Sequence, residues 1–162
     1  MRKSPLIITL IAVFFNLSFL SAQSFNEDKT SFTNFVKRMH TATPFGGVKI
    51  IDDYDNQFMI SVISIDKAKY PNESMMIRVA QVKAQSQVNT FLNGANISMD
   101  MVIKTTESKD STGKASSVTE SIESIKQNST GFSQGLELLT NFDGADPKRM
   151  VFIYFREIKT VK

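Results

Sequence analysis

Phe58-Met59-Ile60-Ser61-Val62-Ile63-Ser64-Ile65, followed after Tyr70-Pro71-Asn72 by the run from Glu73 to Ala95, decides the fold. The first stretch is apolar in both alternating registers. Phe58, Ile60 and Val62 point one way; Met59, Ile63 and Ile65 point the other. Successive strand side chains lie on opposite faces, so this pattern predicts a central strand covered on both sides, or one whose second face is buried in an assembly. The second stretch changes period. Met76, Ala80, Ala84, Val88, Phe91 and Ala95 recur at i+4 and i+3 steps, which is one stripe of a long helix. Ala80 and Ala84 are small enough to let that helix approach a sheet closely. Val79 and Val82 widen the stripe, Lys83, Gln85 and Gln87 face elsewhere, and Asn93-Gly94 closes the helix.

Outward from this pair the same rules apply. Phe32, Phe35, Val36 and Met39 mark a short helix over about 32–40, ended by the turn Thr43-Pro44-Phe45-Gly46-Gly47. Residues 48–51 predict a short strand, and Asp52-Asp53-Tyr54-Asp55 with Asn56 predict a turn. Ile97, Met99, Met101 and Ile103 alternate along a strand over 97–105, which the long helix makes a parallel neighbour of 58–65 through a right-handed crossover. Residues 107–117 read as a mobile polar connection. Val118, Ile122 and Ile125 form a narrow helical stripe, with Glu120 and Glu123 early and Lys126 late, as the helix dipole favours; the frequent Ser, Thr and Ile leave a strand as the alternative. Phe132 to Phe142 and Met150 to Ile158 predict a closing strand pair joined by 143–148. The sum is α/β (α+β): a mixed β-sheet of four to five strands packed by two to three helices. No internal repeat is present.

The chain has 162 residues, which suits one domain with a real core. Arg2 and Lys3, the apolar stretch Leu6 to Leu20, and Ser21-Ala22 form a secretory leader with a cut expected between Ala22 and Gln23. The expected organisation is therefore a leader over 1–22, a flexible segment over 23–31 and a single domain over 32–162. Polar residues interrupt the leader's apolar stretch, which is short of the roughly 20 residues that span a membrane. Its loss removes two of 19 basic residues and none of 16 acidic ones, leaving 17 against 16. A near-neutral domain gives no electrostatic case for nucleic acid. The sequence contains no Cys, which excludes a thiol nucleophile, a disulfide, a Cys-based metal site and lipidation at the cut.

Over about 57–158 the order of elements resembles the LPP20-like family of secreted bacterial envelope proteins. The resemblance is carried by a strand, the Ala-punctuated helix Arg78-Val79-Ala80-Gln81-Val82-Lys83-Ala84, a further strand, and a Ser/Thr/Glu-rich helix. Gly131-Phe132 and Met150-Val151-Phe152-Ile153 fit the closing strand pair. The chain departs from the lipoprotein members in lacking a lipidation Cys, and Asn72-Glu73-Ser74 stand where that pattern is Gly-rich. The resemblance implies an envelope setting, periplasmic or secreted or peripheral to the outer membrane, and supplies no catalytic residue.

Candidate chemistry is sparse. His40, the one histidine, sits at the end of a short helix and reads as a carbonyl cap or a solvent-facing ring. No Gly-x-Ser-x-Gly elbow accompanies it. Asp52, Asp53 and Asp55 form the densest group of hard oxygen ligands, and Asp53 and Asp55 are the weak candidates for calcium. The EF-hand pattern fails there, because Gln57 and Phe58 occupy the positions that need a ligand and Gly. Ser111-Thr112-Gly113-Lys114 lacks the upstream Gly of a phosphate loop and reads as a flexible loop. Asn72, Asn96 and Asn128 each begin a glycosylation-type triplet. No cofactor and no catalytic residue is expected. The leading expectation is a non-catalytic exported envelope protein that works as a protein-interaction or assembly module, through an envelope protein or self-association. The alternative is a small hydrophobic-ligand or lipid-binding protein with a pocket between the long helix and the sheet.

Overall fold

The computed structural model describes residues 29–53, 56–94, 101–104 and 111–158, with side chains described throughout except at Lys104 and 111–118. The chain divides into two units at Pro44. The first contains helix α1 (29–42), longer at both ends than the apolar spacing predicts. Thr33 and Thr41 each return a hydroxyl hydrogen bond to the carbonyl four residues earlier, Lys29 and Lys37, so their polar groups are satisfied within the helix. Val36 and His40, one turn apart, are its buried residues.

The second unit is built on a mixed five-stranded sheet, in the order β3-β1-β2-β5-β4. Its strands are β1 (Gly47–Asp53), β2 (Asn56–Asp66), β3 (Val102–Lys104), β4 (Glu137–Asp143) and β5 (Arg149–Ile158). The pairs β1–β2, β2–β5 and β4–β5 are antiparallel, and β1–β3 is parallel. Among the described residues this unit carries three α-helices, α2 (Glu73–Gly94), α3 (Ser111–Lys126) and α4 (Ser129–Gln134), and a 3-10 turn over Lys67–Lys69. The mixed sheet and its helices make an α+β fold, as the sequence predicts.

The stripe expected on α2 is the one that packs. Met76, Ala80, Ala84, Val88 and Phe91 are buried, with Leu92 beside them, while Ala95 lies outside the described residues. Ala80 and Ala84 have no exposed surface, and the helix sits against Ile50, Met59, Ile63, Phe152 and Tyr154. Two polar ties fix its position on the sheet. Ser61 on β2 donates to Gln87 Oε1 at 2.6 Å, and the Tyr154 hydroxyl on β5 donates to the Ile77 carbonyl at 2.8 Å. Tyr154 is buried, and desolvation raises its phenol from 10.0 to about 12. Ile122 of α3 and Phe132 of α4 join the same core. At the far end of α2, Asn93 donates to Ser129 Oγ at 3.1 Å, joining it to the start of α4.

The other sheet face is apolar too. Ile51, Ile60, Val62, Val151 and Ile153 are buried and stand outside the cluster formed with the helices. Register places Ile60 opposite Phe155 and Val62 opposite Ile153, so the double-sided character read from 58–65 extends across β5.

Four expectations are corrected. The strand after α2 does not lie parallel beside β2. It pairs with β1, because β1 and β5 already occupy both edges of β2, and it therefore runs antiparallel to β2 with β1 between them. Only Val102–Lys104 of that strand falls in a described sheet segment. Residues 132–134, expected to start a strand, belong instead to helix α4. Asn128 caps α4 by accepting from the Gly131 amide at 3.1 Å, and a Cβ at Gly131 would come within 2.5 Å of the Asn128 carboxamide oxygen. Residues 111–117, read as a loop, open α3, and Ser111-Thr112-Gly113-Lys114 form its first turn. Val82, read as widening the buried stripe, is 66% exposed.

Candidate functional site

Of the residues singled out for metal binding, Asp52 and Asp53 are described. The hairpin β1–β2 extends the ladder to the pair Asp53 and Asn56, so Asp52 and Asp53 are strand residues rather than members of a solvated turn. Adjacent strand residues point to opposite faces, which separates the two carboxylates. Asp52 is buried, Asp53 is half-buried, and Asp55 lies outside the described residues. Among the described residues no group of three or more His, Asp or Glu side chains is placed to hold a metal ion. Opposite Asp52 in the register stands Gln57, which is buried and whose Oε1 has no hydrogen-bond partner. His40 is buried instead of facing water. Asn72 and Asn128 serve as caps: Asn72 Oδ1 accepts from the Met75 amide at 2.9 Å as α2 begins. Ala22, Gln23 and Asn96 lie outside the described residues.

The sheet supplies a feature that the sequence did not single out. β4 is an edge strand of seven residues, with β5 as its strand neighbour in the sheet. Between Leu138 and Thr140 the register shifts, so Leu139 is an inserted residue against Tyr154 and Ile153. Leu138, Leu139, Thr140, Asn141 and Phe142 are all half-buried, giving the edge an apolar character. An edge strand presents a row of backbone donors and acceptors to whatever lies beside it.

This edge is held firmly from behind. Asn141 donates to Glu73 Oε1 at 2.5 Å, tying β4 to the first turn of α2. Lys67 Nζ meets Asp143 at 2.6 Å. The β4–β5 connection closes on itself, with Gly144 N donating to the Arg149 carbonyl and Arg149 N to the Asp146 carbonyl, each at 2.9 Å. Arg149 also donates through Nε to Ser64 Oγ at 2.7 Å and through Nη2 to the Ser64 carbonyl at 3.1 Å, anchoring the start of β5 to β2. At the other end Arg156 donates to the carbonyls of Gly131 and Phe132 at 2.8 and 2.5 Å, with its guanidinium 4.7 Å from the Phe132 ring centroid. Arg156 therefore holds α4 just before the chain enters β4. A Cβ at Gly135 would collide with that guanidinium, which is why Gly suits the turn there.

Compared with protein-family models, curated proteins and solved structures, the chain has no match. Among the described residues no helix is long and apolar enough to cross a membrane.

Proposed function

We propose that the protein is an exported, non-catalytic component of a bacterial envelope that works as a protein-interaction or assembly module. The observation that carries this reading is β4, an edge strand with half-buried Leu138, Leu139 and Phe142, braced by Asn141, Asp143 and the closed β4–β5 loop. Such an edge accepts an added strand: main-chain hydrogen bonds supply affinity, and the flanking side chains supply selectivity. The leader-like residues 1–22 and the order of elements over 57–158 support the envelope setting. The alternative of a hydrophobic-ligand pocket between α2 and the sheet finds no comparable support, since Met76, Ala80, Ala84 and Val88 pack directly into that layer.

The test is affinity purification of tagged protein from gently solubilised envelope, with light scattering on the purified product. The chain should emerge as an oligomer or with a stoichiometric partner. Leu139→Lys, which places a charge on the half-exposed bulge, should abolish that association without unfolding the domain. A strictly monomeric product with nothing bound overturns the reading.

A further inference from the structure

We propose that the outer face of α2 docks reversibly onto an anionic lipid surface. The large hydrophobic side chains that stand exposed among the described residues are Met75, at 44%, and Val82, at 66%. Both belong to α2, and their separation of seven residues brings them onto one face, turned away from the buried stripe of Ala80 and Ala84. Val79, half-buried, falls between them at i+4 from Met75. Arg78 and Lys83 are exposed on either side, and neither takes part in an ion pair among the described residues. From Ser74 to Gly94 the helix carries no acidic residue, and Lys69, also exposed, precedes it.

The chemistry of the partner follows from this arrangement. Cations that form no ion pair among the described residues, set beside an apolar row, fit a leaflet in which anionic headgroups meet Arg78 and Lys83 while Met75 and Val82 enter the headgroup–acyl boundary. The row is convex and its two anchors are only about 10 Å apart along the helix axis. That is too small for a stable protein interface, which buries roughly 800 Å² on each partner. It is enough for weak surface binding. The inference does not rest on the β4 reading, since it concerns a different element and a different partner.

The test is co-sedimentation of the chain beginning at Gln23 with vesicles of phosphatidylcholine, or of phosphatidylcholine mixed with phosphatidylglycerol. Omitting 1–22 keeps the apolar leader from binding lipid itself, and circular dichroism verifies that the chain is folded. Binding is expected only with phosphatidylglycerol, and should weaken as salt rises. Arg78→Gln with Lys83→Gln should weaken it roughly tenfold or more. Met75→Ser with Val82→Ser should weaken it roughly tenfold or more. Lys148→Gln, in the β4–β5 loop, should leave it unchanged, and every variant should keep the parent melting temperature because these side chains are exposed. Failure to bind phosphatidylglycerol vesicles, equal binding to phosphatidylcholine alone, or undiminished binding by either α2 double variant overturns the proposal. If the vesicles fail and a photo-crosslinker at Val82 captures one protein from whole envelope, the face belongs to a protein partner and the lipid assignment is wrong.

Discussion

Replacing Tyr154 by Phe should destabilise the protein at neutral pH and lose that disadvantage in alkali. The hydroxyl is buried and donates to the Ile77 carbonyl at 2.8 Å. That carbonyl keeps its own helical amide partner, so removing the hydroxyl strands no acceptor, and the expected cost at neutral pH is about 1 kcal/mol. Alkali works in the opposite direction. Burial raises the phenol from 10.0 to about 12 in the folded protein. Between these values the unfolded chain gives up its proton while the folded chain retains it, so stability falls as pH rises through this window and is fully present below it. By about pH 11 the loss specific to Tyr154 is about 1.4 kcal/mol, close to one pK unit. The parent and Tyr154→Phe should therefore differ by about 1 kcal/mol near neutrality and converge or cross near pH 11. Urea unfolding followed by far-ultraviolet circular dichroism at several pH values measures this directly, with Lys titration common to both proteins. A gap that stays constant from neutrality into alkali refutes the assignment of Tyr154 as a buried, hydrogen-bonded phenol.

Other residues carry equally specific expectations. Arg156→Ala removes two charge-assisted hydrogen bonds to α4 and the contact with the Phe132 ring, and should cost about 2 kcal/mol in chemical denaturation, with Arg156→Lys intermediate. Gln57→Leu should raise the melting temperature, because it removes a buried carboxamide oxygen without a partner, a gain of about 1 kcal/mol. A loss of stability in that variant refutes the assignment of the Gln57 carboxamide oxygen as a destabilising unpaired group. Calcium added after chelation should leave the melting temperature unchanged, because the described carboxylates of the hairpin, Asp52 and Asp53, point to opposite sides of β1, and among the described residues no three carboxylate or imidazole groups gather. A rise that Asp53→Asn abolishes assigns an ion to the hairpin.

The elements that could be read from the sequence are those whose side chains repeat with one clear period over many residues. α2 is legible from Met76, Ala80, Ala84, Val88 and Phe91, and β2 and β5 from apolar residues in both alternating registers. Short apolar runs are less legible. Phe132, Leu136 and Leu138 fit a strand face loosely, but Phe132 is helical, and the useful signals were the cap at Asn128 and the stop at Gly135. The first turn of α3 is concealed by its Ser, Thr and Gly, residues that prefer turns in isolation. Val82 departs from the core-face expectation because two residues turn a helix by about 200°, which sets it across the helix from Ala80 and so on the exposed row with Met75. The pairing of the third strand was not legible at all. It depends on β5, about fifty residues later in the chain, taking the free edge of β2. The edge position of β4 follows from the same non-local choice, so the candidate interaction edge emerged only from the assembled sheet.

Hydrogen–deuterium exchange across Glu137–Asp143 tests the central claim most directly, comparing the isolated protein with the assembly recovered from envelope. In the isolated protein the amides of β4 that do not face β5 should exchange fast, while those bonded to β5 are protected. In the assembly those fast amides should become protected, as an added strand requires, and in Leu139→Lys they should stay fast. An assembly whose β4 amides exchange as rapidly as in the isolated protein contradicts strand addition at this edge.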